Sequence, residues 1–291
     1  MSLTWEEENR PIDLHVHTTA SDGDMSPAAC VDEAKRLGLA AIAITDHDTL
    51  AGNAEAEARG RQVGIEVVPG VEVSLEHKAL TVHILGYCPE PAVAELDGLL
   101  AGLREHRGER NPRILRRLAE LGCPVEPEEL AAEAGGGVVG RPHIAAVMIR
   151  KGYVRNLDEA FDRYLAKGAA AYVERGKPTP ETAIRALLAA RAVPVLAHPA
   201  ATGSRSEGEV EALVAALTAM GLRGIEAYYH AYGPGQIAAC LGLARRLGLL
   251  VTGGTVYHGL RKPEIQMGRG SGGMHGPYRL LALLTAERER L

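Results

Sequence analysis

Aromatic side chains are scarce: the 291 residues include one Phe and one Trp beside nine Tyr. Alanine, leucine, valine and isoleucine must therefore build the core, and 46% hydrophobic content over this length supports a large one. Cysteine is scarce as well. Cys30, Cys88, Cys123 and Cys240 lie far apart with no Cys-x-x-Cys pair, which argues against a disulfide framework or a thiolate zinc site and leaves them as small packing residues. There is no basic surplus: 32 Lys and Arg face 37 Asp and Glu, for a formal charge of −5. Long duplex nucleic acid is not expected as a partner, although a local basic pocket is compatible with that balance. No apolar run reaches the roughly 18 residues of a membrane span. Met1–Arg10 carries Glu6-Glu7-Glu8 and no apolar centre, unlike a secretory signal, so the expected location is cytoplasmic.

What the sequence does have is a βα rhythm. Ile12–Val16, Ala40–Ile44, Glu66–Val73 and Thr81–Leu85 read as strands. Ser26 and Pro27 read as the cap and first residue of a helix that stops at Gly38. Asp48 reads as the N-cap of a helix running to about Gln62. From Pro91 to about Ala170 no strand is predicted. Helices there break at Gly122-Cys123-Pro124, Gly135-Gly136-Gly137 and Gly152, with apolar stripes at Leu96, Leu99, Leu100, Leu103 and at Ile114, Leu115, Leu118, Leu121. After Pro178 the alternation returns, with strands at Val193–Ala197, Gly224–Tyr228 and Leu249–Thr252. The expectation is an α/β fold, a parallel barrel of about seven strands formed by residues 1–90 and 171–291, with residues 91–170 as a helical insertion.

Eleven histidines are unevenly placed. His15 and His17 close the first strand and point to one side of it. Asp22 follows in a turn, Asp46 and His47 follow the second strand, Glu72 and His83 lie in the third and fourth, and His198, His230 and His258 follow later strands. In a parallel barrel those strand ends meet at one mouth. Imidazoles and carboxylates gathered there are costly unless something pairs them, and that mixture suits zinc, manganese or iron. Glu226 is expected to hydrogen-bond a ligating histidine. His77, His106 and His275 have no such placement and read as surface or local hydrogen-bonding residues.

The motifs Asp13-Leu14-His15-Val16-His17, Ser21-Asp22-Gly23, Thr45-Asp46-His47-Asp48, Pro69-Gly70-Val71-Glu72, His83-Ile84-Leu85-Gly86 and Ala197-His198-Pro199 occur in this order. The pattern resembles the polymerase and histidinol phosphatase (PHP) superfamily, above all its stand-alone members with a helical insertion, nucleoside 3′,5′-bisphosphate phosphatases and 5′-to-3′ oligoribonucleotide exonucleases. The resemblance implies a distorted seven-stranded (βα) barrel with two or three divalent ions (Mn, Zn or Fe). It implies metal ligation by His15, His17, Asp22, His47, Glu72, His83, His198 and His258, with Glu72 as a bridge. It also implies substrate phosphate at Arg141 and His143. His198 and His230 are the candidates for catalysis, His230 by protonating a leaving group. Arg110 and Asn111 are weaker phosphate candidates and read first as a solvated helix face.

One position departs from the family. Where its last motif runs Gly-Ser-Asp-x-His-Gly, this chain has Gly254-Thr255-Val256-Tyr257-His258-Gly259, and valine cannot bind a cation. Asp46 or Asp48 could compensate. The implied activity is hydrolysis of a phosphate ester of a nucleotide or of a short 5′-phosphorylated oligonucleotide, through water acidified by the ions. The alternatives are a catalytically impaired nucleotide- or metal-binding protein, on account of Val256, and a histidinol-phosphate phosphatase. The expected partner is a small phosphorylated molecule rather than a membrane; oligomeric state is left open.

Overall fold

A computed structural model of the chain describes residues 8–78, 80–174, 176–201, 206–269 and 276–291; His275 lies outside them. Among the described residues there are eight strands: β1 Pro11–Val16, β2 Ala41–Ile44, β3 Glu66–His77, β4 Leu80–Tyr87, β5 Val193–Leu196, β6 Gly224–Tyr229, β7 Leu250–Gly254 and the two-residue β8 Gly276–Pro277. They order as β7-β6-β5-β4-β3-β2-β1-β8. The sheet curls until β1 meets the segment after β7, where the His17 amide donates to Tyr257 O (2.9 Å) and the Tyr257 amide to His15 O (3.1 Å). Gly254 makes this closure possible, because a Cβ there would lie 2.3 Å from His15 Cβ.

The expected all-parallel barrel is corrected at two strands, β4 and the short β8, which pairs antiparallel with β1. β4 runs antiparallel to both β3 and β5, because two residues separate β3 from β4 in sequence, too few for a helical crossover. Both strands are also longer than their apolar centres suggested. Glu72 therefore sits mid-strand, and His83 lies opposite Ser74.

Helix α1 Pro27–Arg36 packs on β2 and α2 Asn53–Val63 on β3, while α7 Pro180–Ala189, α8 Glu207–Ala219, α9 Pro234–Leu247 and α10 Arg279–Arg290 lie along the later strands; α3–α6 lie between β4 and α7. Ser26 caps α1 through the Ala29 amide, with Pro27 at its first position, as its sequence predicts. Asp48 does not cap α2, whose N-cap is Gly52. Its backbone is left-handed (φ +58), and its side chain turns inward to accept from the Ser74 amide (2.8 Å) and from Arg107.

Between β4 and α7 the described residues are helical or irregular. They form α3 Ala94–Glu120, α4 Pro127–Ala134, α5 Arg141–Arg150 and the short α6 Leu157–Ala160, which runs into a π-turn at Phe161–Leu165. The long α3 serves two cores. Leu96, Leu100 and Leu103 join the cluster formed by β3, β4, α7 and α8, whereas Ile114, Leu115 and Leu118 join a separate cluster drawn entirely from residues 114–173. Pro112 lies near the changeover, inside the helix. Leu121 leaves the second stripe and is exposed, because the helix has ended. Gly137 sits against Thr19 O, and the Val138 amide donates to Ala20 O (2.9 Å), fixing this helical segment to the loop after β1.

Candidate metal centre

Alternation along β1 sends Asp13, His15 and the next residue of that series, His17, to one side. Asp13 ties the strand to the far edge of the barrel, accepting from the Thr255 amide and hydroxyl (3.0 and 2.5 Å) and from the Gly268 amide (2.8 Å). The turn carrying Asp22 is held by Asp46, whose carboxylate takes the Thr18 amide and hydroxyl (2.8 and 2.7 Å) and the Ser21 hydroxyl (2.6 Å). Asp46 and Asp48 are thus both spent on structure, and neither replaces the acidic group missing at Val256.

Glu72 stands at the middle of the site. Its Oε2 lies 3.3 Å from His15 Nε2, 3.2 Å from His17 Nε2 and 3.0 Å from His47 Nδ1; its Oε1 lies 2.9 Å from His83 Nδ1 and 3.3 Å from His198 Nε2. Asp22 lies 3.6 Å from His17 Nδ1, 3.8 Å from His47 Nε2 and 3.4 Å from His258 Nε2. All eight predicted ligands are therefore brought together.

The second nitrogens fix two of the rings. His15 Nδ1 lies 3.0 Å from Glu226 Oε1, and Glu226 Oε2 accepts from the His198 amide (2.9 Å). His258 Nδ1 donates to Val256 O (2.7 Å). A neutral ring that donates from Nδ1 presents a lone pair at Nε2; His258 is in that form, and His15 takes it once a cation displaces its second proton. His15 Nε2, both nitrogens of His17, His47 Nδ1, His83 Nδ1 and Glu72 Oε2 are buried and have no hydrogen-bond partner. Buried polar atoms are rarely left so, and cations resolve the conflict. Three overlapping sets have donor atoms close enough to share an ion: His15, His17 and Glu72; His17, Asp22 and His258; His47, Glu72 and His83. The residues present fit a cluster of divalent metal ions.

The electrostatics divide the rings. Burial lowers His47 to about 3, against the carboxylates of Glu72 and Asp22, and lowers His258 to about 4 with help from His17. Both are then neutral ligands at neutral pH. Burial also opposes charge on His15, but Glu226 and Glu72 outweigh it and push that ring up to about 10. Burial would raise Glu72 and Asp22, yet the surrounding imidazoles hold both well below the usual carboxylate range.

The cluster opens into a cavity of about 940 Å³. Arg107, Arg110, Arg141, Arg155, Lys177, Arg261 and Lys262 line it, with Tyr229 and Val256 beside the histidines. The solvated-face reading of Arg110 and Asn111 is overturned: both are buried, with Arg110 Nη2 donating to Asn111 Oδ1 (2.7 Å). Arg141 lines the cavity and donates from Nη1 to Leu165 O (2.8 Å). His143 and His230 are not among the lining residues. His143 turns inward and accepts from the Gly140 amide (2.9 Å), while His230 stands edge-on to Tyr229, ring centroids 4.4 Å apart. Arg107, Lys177, Lys262 and Tyr229 escaped the sequence reading, because no local pattern distinguishes a cavity-lining arginine or tyrosine from a surface one. Val256 is buried with φ +54, a backbone conformation that aspartate tolerates far better than a β-branched residue.

Residues 13–170 match the PHP domain family. The chain belongs to the PHP family. Two similar relatives cover most of this PHP protein. A 3′,5′-nucleoside bisphosphate phosphatase of Chromobacterium violaceum is 31% identical over 257 residues, 85% of this chain and 87% of its own. A phosphoribosyl 1,2-cyclic phosphate 1,2-diphosphodiesterase of Eggerthella lenta is 32% identical over 85% of this chain and 94% of its own. A 5′-3′ exoribonuclease of Haemophilus influenzae is 36% identical over 65% of this chain and 69% of its own. Among solved structures, one from Bifidobacterium adolescentis, classed as a metal-dependent phosphoesterase, superposes with a TM-score of 0.86 at 29% identity over 96% of both chains. No described helix is long and apolar enough to cross a membrane.

Proposed function

We propose that this PHP protein is a metal-dependent phosphoesterase that hydrolyses a phosphate ester of a nucleotide, such as a nucleoside 3′,5′-bisphosphate, or of a short 5′-phosphorylated oligonucleotide. The observation that carries the reading is the joining of two features in one cavity. Unpaired donor atoms ring Glu72, and a wall of arginines and lysines faces them. The donor set supports two or three ions of manganese, zinc or iron. Such ions supply a Lewis acid for phosphoryl oxygens and water acidified toward neutrality.

The chain's own groups do the rest. Arg141 offers a planar fork to phosphate oxygens, while His143, bonded to Gly140, sets the turn that presents it. Arg110 and Lys177 extend the positive wall, with Lys177 Nζ resting on Thr81 Oγ1 (2.5 Å). Burial pushes the Tyr229 phenol up, so it stays protonated and can donate to a leaving oxygen, with His230 against its ring. The helical segment 91–170 acts as a lid that limits water and substrate size.

Incubation of manganese-loaded protein with nucleoside 3′,5′-bisphosphates, and separately with 5′-phosphorylated oligoribonucleotides, is expected to release inorganic phosphate or mononucleotides. No turnover on either substrate rules the proposal out. Val256 favours a second reading, a pocket that binds nucleotide and metal while turning over slowly; brisk wild-type turnover removes it.

A further inference from the structure

The chain has one phenylalanine, and the core does not enclose it. Phe161 is half-buried and lines the same cavity as the metal centre, with Ile149 and Leu157 beside it. It opens the π-turn Phe161–Leu165, closed by the Ala166 amide on Phe161 O (2.8 Å). π-Turns are rare and recur at functional sites, where the extra residue re-aims a side chain. The ring is braced from one side. The Arg141 guanidinium lies 5.7 Å from the Phe161 centroid and 5.7 Å from that of Tyr172, and Leu165 O holds its Nη1.

The cavity is therefore divided by chemistry. The zone around Glu72 and the basic side chains suits phosphate, whereas Ile149, Leu157 and Phe161, which pack against the core of the helical segment and stand among Arg155, Asn156 and Asp158, offer apolar surface. A phosphate alone does not need the second zone. A nucleotide has one flat, weakly polar part, its base, which gains from stacking on an aromatic face. We propose that Ile149, Leu157 and Phe161 form the nucleobase subsite, with Phe161 as the stacking surface and Arg141 joining it to the phosphate zone. This rests on the nucleotide reading above and adds which residues distinguish a nucleotide from another phosphate ester.

The test compares binding of AMP and of base-free ribose 5-phosphate to the manganese-loaded full chain by calorimetry. The wild type is expected to prefer AMP by roughly tenfold, the scale of one stacked base. Phe161→Ala is expected to abolish that preference, with the loss falling on AMP rather than on ribose 5-phosphate, because Tyr172 and Leu165 O still hold Arg141. Phe161→Trp is expected to keep the preference and to show emission quenched by AMP and not by ribose 5-phosphate. Equal affinity of the wild type for the two ligands overturns the inference. So does a Phe161→Ala protein that still prefers AMP, or one that loses both ligands in equal measure. A failure of the nucleotide-hydrolase reading looks different: no phosphate is released from any nucleotide, whatever the binding comparison gives.

Discussion

Val256 concentrates the conflict between local backbone and local chemistry. It lines the cavity two residues before the candidate ligand His258, and its left-handed backbone disfavours a β-branched side chain by about 1–2 kcal/mol. Asp48 and His198 also have positive φ, at +58 and +30, so three left-handed non-glycine residues border one site. An aspartate at 256 would relieve the strain and bring a carboxylate to a region where, of the described acidic groups, Asp22 and Glu72 already sit among imidazoles. Val256→Asp is therefore expected to tighten cation binding by about tenfold, the scale of one added ligand contact worth about 1.4 kcal/mol, and to raise the hydrolytic rate. Manganese titration of wild type and variant, followed by phosphate-release assays, checks both. Unchanged affinity would mean that the side chain at 256 does not reach the ions.

At the scale of elements, the long helix α3 is fastened to the ligand-bearing loop after β2. Arg107 donates from Nε and Nη2 to Asp48 Oδ2 (2.9 and 2.5 Å) and from Nη2 to Ser74 Oγ (3.2 Å), while Arg104 reaches Asp48 O (2.9 Å). Asp48 is wholly buried and adjoins His47, so the joint fixes a candidate ligand and the helical segment together. Removing one partner of a buried pair leaves an uncompensated charge, at a cost of about 3–5 kcal/mol. Arg107→Met is expected to destabilise the protein by about that much, and adding Asp48→Asn is expected to recover part of the loss. Denaturant melts of the two variants decide it; equal losses would show that the pair is not the joint. The same elements show what a sequence discloses. The α1 cap, the glycine breaks of the insertion and the ligand positions at strand ends rest on local chemistry, and local chemistry is legible. The reversal of β4 was not, since its turn lacks an Asn-Gly or Asp-Gly signature. Asp48 looked like a cap because aspartate before a helix usually is one; here the helix begins five residues later, and a partner 59 residues away claims the carboxylate.

For the whole molecule, the centre joins stability to pH and to metal. In metal-free protein, His47 and His258 are held neutral at pKa values of about 3 and 4, below the ordinary 6.5. Unfolding frees both to take protons, so their contribution is full above pH 6.5 and is lost as pH falls toward 4. His15 has the opposite sign. Its pKa of about 10 means the fold keeps a proton that the unfolded chain releases above 6.5, so its contribution is full below 6.5 and is lost as pH rises through 10. His83, His143 and His230 are lowered by burial too, so between pH 5 and 9 the metal-free protein should be most stable near 6.5, falling more steeply on the acid side, where five depressed histidines act against one raised. Divalent cations change the balance because they require deprotonated ligands. Manganese should raise the melting temperature, by an amount that grows with its concentration, and should move the maximum to higher pH, since a cation bound at His15 Nε2 supplants the proton. Melting curves across this range, with chelator and with manganese, provide the check. Two superimposable profiles would mean that the imidazoles round Glu72 hold protons rather than metal, and the functional reading would fall with them.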